Sequence, residues 1–206
     1  IPYAANHVHG NWRWFMNYGT GMTGDWGVHM MDIVLLGLSK DTDIVMPTEV
    51  TSYGGKLAYP EDDRTAPDTV QTLMKFKDPN VIFHWQTGRD FVGRPDHGSE
   101  WVSEDGRSVR AWRGGWQVLD KSGKELPKEE SAPTNDHWQN WLDCLRTREQ
   151  TRSNLNSMGQ TTIVCHLANV AYLAGETVHW DKQKMDLVGK AGRDTSSYYR
   201  DRKSVV

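Results

Sequence analysis

Asp25, His29 and Asp32 follow one another at intervals of four and three residues. On a helix that spacing puts all three on one face. A histidine between two carboxylates suits a group that takes a proton from a hydroxyl and later returns it. The same trio also fits a solvated face, with Asp25 stabilising a first helical turn through the helix dipole. A metal reading exists too, since Asp and His four residues apart can both ligate zinc, but no obvious further ligand stands with them. Two more candidates lie just upstream. Arg13, between Trp12 and Trp14, could donate a bidentate pair to a substrate oxygen or carboxylate, or merely stack on either indole. Tyr18 could bond a substrate hydroxyl or be a plain loop aromatic.

Between these groups runs Gly19-Thr20-Gly21-Met22-Thr23-Gly24, which matches the dinucleotide pattern G-x-G-x-x-G letter for letter. That fingerprint needs a buried strand before it and an acidic residue ending the next strand. Trp14-Phe15-Met16-Asn17-Tyr18 is not the aliphatic run of a central parallel strand, and Asp41 and Asp43 precede Ile44-Val45-Met46 instead of following it. The better expectation is a sharp glycine turn that lets the chain approach a ligand closely. Other polar residues read as structural or solvated: Arg89, Arg94 and His97 in the loop 88–98, His84 in a strand, His166 in a helix. Cys144 and Cys165 read as small buried hydrophobes, and two cysteines make neither a disulfide framework nor a four-thiolate zinc site.

These side chains must be held by the surrounding elements. From about Gly24 to Leu38 the pattern is helical, with Trp26, Met30, Ile33 and Leu36 or Gly37 returning every three or four residues as the core stripe. From about 47 to 126 it reads as strands. Val70, Thr72, Met74 and Phe76 alternate with Gln71, Leu73 and Lys75; after the turn at Asp78-Pro79-Asn80, Val81, Phe83 and Trp85 do the same, which predicts a hairpin. Short runs at Trp101–Ser103, Val109–Trp112 and Trp116–Leu119 continue the series, so consecutive hairpins predict an antiparallel sheet. Thr134 or Asn135 can cap a helix with Trp138, Trp141, Leu142 and Leu145 on one face. A second helix runs from about Ser157 to Ala174 with Ile163, Leu167, Val170 and Ala174 as its stripe, and Gly175 ends it. One helix, then strands, then helices is an α+β order.

The chain has 206 residues, of which 37% are hydrophobic, enough for one large domain with a sizeable core. Its net charge of −3 argues against a nucleic-acid or membrane-surface partner. No apolar run is long enough for a transmembrane helix. Ten tryptophans are a compositional excess, suited to covering the C–H faces of sugars as well as to filling a core.

Three stretches carry a family resemblance. Gly10-Asn11-Trp12-Arg13-Trp14-Phe15 leads through Tyr18-Gly19-Thr20-Gly21 to Gly24-Asp25-Trp26-Gly27-Val28-His29-Met30-Met31-Asp32. This is similar to the start of the C-terminal domain of the glucose–fructose oxidoreductase and inositol dehydrogenase family, Gfo/Idh/MocA. Asn140–Arg148 resembles that domain's late helix, Thr161–Asn169 its partner helix, and Val178–Asp181 the following strand. The resemblance implies an α+β domain with an open, mainly antiparallel sheet and helices on one face, residues 1–206 forming a single C-terminal domain for substrate binding and oligomerisation. It implies a separate N-terminal Rossmann domain of the same polypeptide that binds NAD or NADP and carries a Glu-Lys-Pro motif, neither of which is in this chain. His29 matches the family's usual acid/base and Asp25 the aspartate that contacts substrate or supports it. Arg13, Tyr18 and Asp32 are the substrate contacts expected beside them. The expected substrate is a sugar, polyol or sugar derivative, and the expected assembly a homo-oligomer through the sheet; this half alone is expected to be inactive. Other outcomes are a non-catalytic carbohydrate-binding or assembly module, and a family variant that uses transient oxidation to cleave glycosides.

Overall fold

The computed structural model describes residues 3–40, 43–88, 97–127 and 136–192. Two 3₁₀ turns, Ala5–His7 and Trp12–Trp14, lead to α1 (Gly21–Asp25) and α2 (Gly27–Leu38). Six strands follow: β1 (Glu49–Gly55), β2 (Thr69–Phe76), β3 (Val81–Thr87), β4 (Ser99–Val102), β5 (Ser108–Trp112) and β6 (Gly115–Leu119). The chain then forms α3 (His137–Thr147), α4 (Leu155–Ala174), β7 (Val178–Asp181) and β8 (Asp186–Val188). The fold is α+β, as the sequence pattern predicts.

Five strands make one open sheet in the order β3-β2-β1-β7-β8, every neighbouring pair antiparallel. The β2–β3 hairpin has the register Phe76 opposite Val81 through Val70 opposite Thr87. Side chains alternate across a strand, so Val70, Thr72, Met74 and Phe76 are buried on the inner face while Leu73 and Lys75 point outward. Helices α2 and α4 cover that inner face. Met31 and Leu35 of α2 and Val164, Leu167, Ala168 and Ala171 of α4 join Val50, Met74, Phe76 and Val178 of the sheet in one core. Each fully buried Leu, Val, Phe or Met there contributes about 1.5–3 kcal/mol. The outer face is partly apolar, with Tyr53, Leu73 and Ile82 exposed, beside a His84–Gln71 hydrogen bond of 2.7 Å and a Lys75–Glu49 pair at 3.1 Å.

The later hairpins do not extend this sheet. β4, β5 and β6 form a separate three-stranded antiparallel sheet. Its strand β4 reaches α2, where Ser99 Oγ donates to the Met30 carbonyl at 3.2 Å and the Trp101 indole covers Gly37.

Three helical expectations change. The core stripe of α2 runs through Gly27, Met30, Met31, Val34 and Leu35, with Ile33 and Leu36 exposed. A glycine at 27 lets Cys165, Met31 and Trp85 close over the backbone, so the buried face falls one residue later than a count of large apolar groups suggests. Trp26 instead occupies the joint between α1 and α2. Helix α3 is capped by Asp136, whose carboxylate accepts from the Trp138 N–H at 2.9 Å; Thr134 and Asn135 lie outside the described residues. Its expected core face does lie on one side, yet none of α3 is buried and Trp138 is 70% exposed. Helix α4 begins at Leu155, capped by Asn154, and ends at Gly175 with φ 66°. It is buried on a broader band than the expected stripe, including Ser157, Thr161, Val164 and Asn169. Among the described residues, no helix is long and apolar enough to cross a membrane.

Candidate functional site

The site is organised by a loop that the sequence reading overlooked. Asp68 accepts hydrogen bonds from the N–H groups of Leu57, Ala58 and Tyr59 at 3.0–3.2 Å and from the Thr69 hydroxyl. Burial works against its charge, but these donors outweigh it and hold the carboxyl below the ordinary carboxylate range. The loop so fixed is stitched to the N-terminal segment. Thr65 and Ala66 donate to the Trp14 carbonyl at 3.0 and 2.9 Å, and the Thr65 hydroxyl accepts from Met16 N–H at 2.7 Å. Arg64 lies over both Tyr59 and Trp14, at 4.4 and 5.1 Å from the ring centroids.

From that anchored segment the chain turns through Gly19–Gly24 into α1. A Cβ on Gly19 would stand 2.9 Å from the Arg13 Cα, and one on Gly24 would stand 1.6 Å from the Thr20 Oγ1. Both positions need glycine for close approach, as the turn reading expects. Asn169 of α4 ties the turn down, donating to the Thr20 carbonyl at 2.9 Å. The turn does not fit a dinucleotide. The segment before it is the 3₁₀ turn Trp12–Trp14 instead of a strand, and the space at Gly19 and Gly24 is filled by Arg13, Trp12 and Thr20.

The turn brings Arg13 against Asp25. Arg13 Nε donates to Asp25 Oδ2 at 2.5 Å, and Arg13 Nη1 donates to the Gly10 carbonyl at 2.6 Å. The guanidinium also lies 5.4 Å from the Trp12 ring centroid, so pairing and stacking coexist. Asp25 closes α1, and Trp26 separates it from α2. His29 is exposed in the first turn of α2, its ring edge-on to Trp26 at 6.5 Å between centroids.

Asp32 looks elsewhere. Its Oδ1 accepts from the buried Thr161 hydroxyl at 2.8 Å, joining α2 to α4. The three residues therefore follow one another along the α1–α2 segment without sharing a hydrogen bond: Asp25 serves Arg13, Asp32 serves Thr161, and His29 faces solvent. Tyr18 packs edge-on against His7 at 5.3 Å, and His7 stacks on Phe15 at 3.6 Å. Arg89 and Arg94 lie outside the described residues. His97 does not stand free in solvent; it is half-buried with its ring 5.6 Å from that of Trp26.

The remaining polar candidates are structural. Cys144 and Cys165 are both free thiols; Cys165 is buried as expected, whereas Cys144 is only half-buried because nothing covers α3 among the described residues. Burial, with the nearby Asp32 charge, pushes the Cys165 thiol up to about 12, and it donates to Met31 Sδ at 3.6 Å. Burial alone depresses His166. Among the described residues, no three His, Cys, Asp or Glu side chains converge as metal ligands. Two of the clefts among the described residues bear on the candidate site. One of about 320 Å³ borders the Arg13 segment and is lined by Asn6, Asn11, Trp14, Asp62, Asp63 and Arg64. The other, of about 420 Å³, is apolar and lies between α2, β3 and the three-stranded sheet; none of the expected site residues lines it.

Comparison with known proteins agrees with this architecture. The model for an oxidoreductase family's C-terminal alpha/beta domain matches residues 1–201. No curated protein matches the chain in sequence. Among solved structures, an NAD-binding protein from Listeria innocua superposes with a TM-score of 0.56 at 14% identity, over 84% of this chain and 55% of its own. A UDP-N-acetylglucosamine 3-dehydrogenase from Acidithiobacillus ferrooxidans gives 0.53 at 12% identity, over 84% and 50%. An aldose-aldose oxidoreductase from Caulobacter crescentus, complexed with glycerol, gives 0.53 at 12% identity, over 82% and 50%. At these identities the likeness is one of fold, and the chain spans about half the length of each.

Proposed function

This chain belongs to the Gfo/Idh/MocA oxidoreductase family, as its C-terminal alpha/beta domain, and from that premise we propose that it is the substrate-binding half of an NAD(P)-dependent oxidoreductase acting on a sugar, polyol or sugar derivative. The observation that carries this reading is the Arg13–Asp25 pair at 2.5 Å. It fixes the end of α1, and four residues on it leaves His29 exposed at the start of α2, open to a ligand. His29 takes the proton of the substrate hydroxyl, and Asp25, held by Arg13, orients the hydroxyl. Tyr18 and Asp32 bind further hydroxyls, Asp32 through the carboxylate oxygen that Thr161 does not use.

NAD or NADP, the hydride acceptor of such a reaction, is assigned to an N-terminal dinucleotide-binding domain of the same polypeptide. The residues of this chain do not fit it, and their part is to bind, orient and move a proton. The exposed outer sheet face around Tyr53, Leu73 and Ile82 supports assembly of copies through that surface.

The test is reduction of NAD or NADP by the two-domain protein over a panel of neutral and acidic sugars and polyols. The expected outcome is turnover on at least one, none by this chain alone. Turnover by neither cofactor with any of them would leave a non-catalytic module as the better reading.

A further inference from the structure

The cleft of about 320 Å³ beside the Arg13 segment lies where the two 3₁₀ turns meet the loop that joins β1 to β2. The turns supply Asn6, Asn11 and Trp14 to its lining, and the loop supplies Asp62, Asp63 and Arg64. Its polar groups are set in place before any ligand arrives. Asn6 Nδ2 donates to the Asp63 carboxylate, which ties the first turn to the loop. Asp62 pairs with the Arg64 guanidinium and accepts from the Arg64 N–H at 3.1 Å, while the same guanidinium lies over Trp14 and Tyr59. Asn11 stands at the N-cap of its turn, where an asparagine side chain ordinarily accepts from the backbone. Here it makes no capping bond and lines the cleft instead.

Groups preorganised in this way select a ligand by what they still offer. A carboxylate accepts at about four positions, and Asp63 uses one of them on Asn6. Asn6 keeps its carbonyl oxygen as an acceptor, and Asn11 offers a carboxamide that both donates and accepts. Acceptors and donors side by side match neighbouring hydroxyls, each of which does both. The Trp14 ring adds an apolar wall for the C–H face of a sugar. Charge narrows the class further. Asp62 and Asp63 oppose an anion, and Arg64, the cation of the lining, is already paired with Asp62. A carboxylate or phosphate would meet like charge where a hydroxyl meets an acceptor.

We infer that this cleft is a carbohydrate subsite that binds a neutral sugar or polyol through vicinal hydroxyls on Asp63, Asn6 and Asn11. It goes beyond the oxidoreductase reading, because it uses neither a cofactor nor the groups assigned to proton transfer.

The test is an NMR titration of this chain, following the side-chain amide N–H signals of Asn6 and Asn11, the Trp14 indole N–H and the ring protons of His29. The probes are glucose, myo-inositol and glucuronate. The expected result is saturable shifts at the cleft signals with glucose or myo-inositol, and weaker binding of glucuronate. Asp63→Ala weakens the binding by about tenfold or more, and Asn11→Ala by about threefold. Both side chains are exposed, and Asn11 caps nothing, so its variant decides the matter where Asp63→Ala fails to fold. No saturable shift at the cleft with either neutral probe, glucuronate binding as tightly as they do, or full-strength binding by either variant overturns the inference. Shifts confined to His29 also overturn it and leave the acid/base reading standing; loss of turnover on its own leaves the cleft untouched.

Discussion

The Arg13 guanidinium bridges two backbone turns: its Nε reaches Asp25 Oδ2 at 2.5 Å and its Nη1 reaches the Gly10 carbonyl at 2.6 Å. Both ends of the pair are only partly exposed, so solvent screens it less than a surface ion pair. Arg13→Ala leaves Asp25 without its donor and costs about 1–2 kcal/mol of stability. An ammonium cannot reach both acceptors in one plane, so Arg13→Lys recovers only part of that loss. Thermal unfolding of the three proteins measures it, and equal midpoints for wild type and Arg13→Ala would show the pair to be idle.

The glycine turn makes a second prediction. A Cβ at position 24 would sit 1.6 Å from Thr20 Oγ1 and 2.7 Å from Thr20 Cβ, so the turn must shift as a whole. Gly24→Ala lowers stability by about 1–3 kcal/mol and displaces Asp25, one residue on. Denaturant unfolding reads the first effect, and loss of turnover in the two-domain protein reads the second.

The two thiols differ in reactivity. With its thiol pushed up to about 12 and its side chain buried, Cys165 carries almost no thiolate at pH 8. Half-buried Cys144 is accessible. Brief iodoacetamide treatment of the folded chain labels Cys144 and spares Cys165 in peptide mass spectrometry; equal labelling contradicts this.

His166 gives the chain an acid sensitivity above the range where carboxylates titrate. Burial depresses its folded value below the ordinary 6.5, so between the two values the unfolded chain binds a proton that the folded chain refuses. Stability from this source is complete above the unfolded value and is lost as pH falls below it. The unfolding midpoint drops as pH falls through about 6.5, and His166→Leu flattens that drop.

Much of the fold is legible in the sequence because it is local. The β2–β3 hairpin follows from period-two alternation around a turn, and the end of α4 from Gly175. The helix that carries His29 also follows from periodicity, although its buried face does not, because Gly27 rather than a large side chain faces Cys165. Helix α3 has the pattern of a core helix yet buries nothing; periodicity reports an apolar face, not what covers it.

Separation in sequence hides the rest. Nothing local to Arg113 marks it as a partner of Trp26, since β5 and β6 carry it there. Asp68 could have been suspected from its place at the end of a Pro- and Asp-rich loop, but only the three N–H groups it gathers reveal its work. The spacing of Asp25, His29 and Asp32 is legible in the sequence; that each carboxylate answers to a different partner depends on contacts with Arg13 and with Thr161 of α4.

In the proposed reaction His29 moves the substrate proton, and single-turnover kinetics of the two-domain protein isolates that step. With a sugar that the wild type oxidises, His29→Ala should slow the formation of reduced nicotinamide by about 10²–10⁴-fold while substrate affinity stays within a few-fold of wild type. A variant that reduces the cofactor at the wild-type rate would contradict the acid/base role.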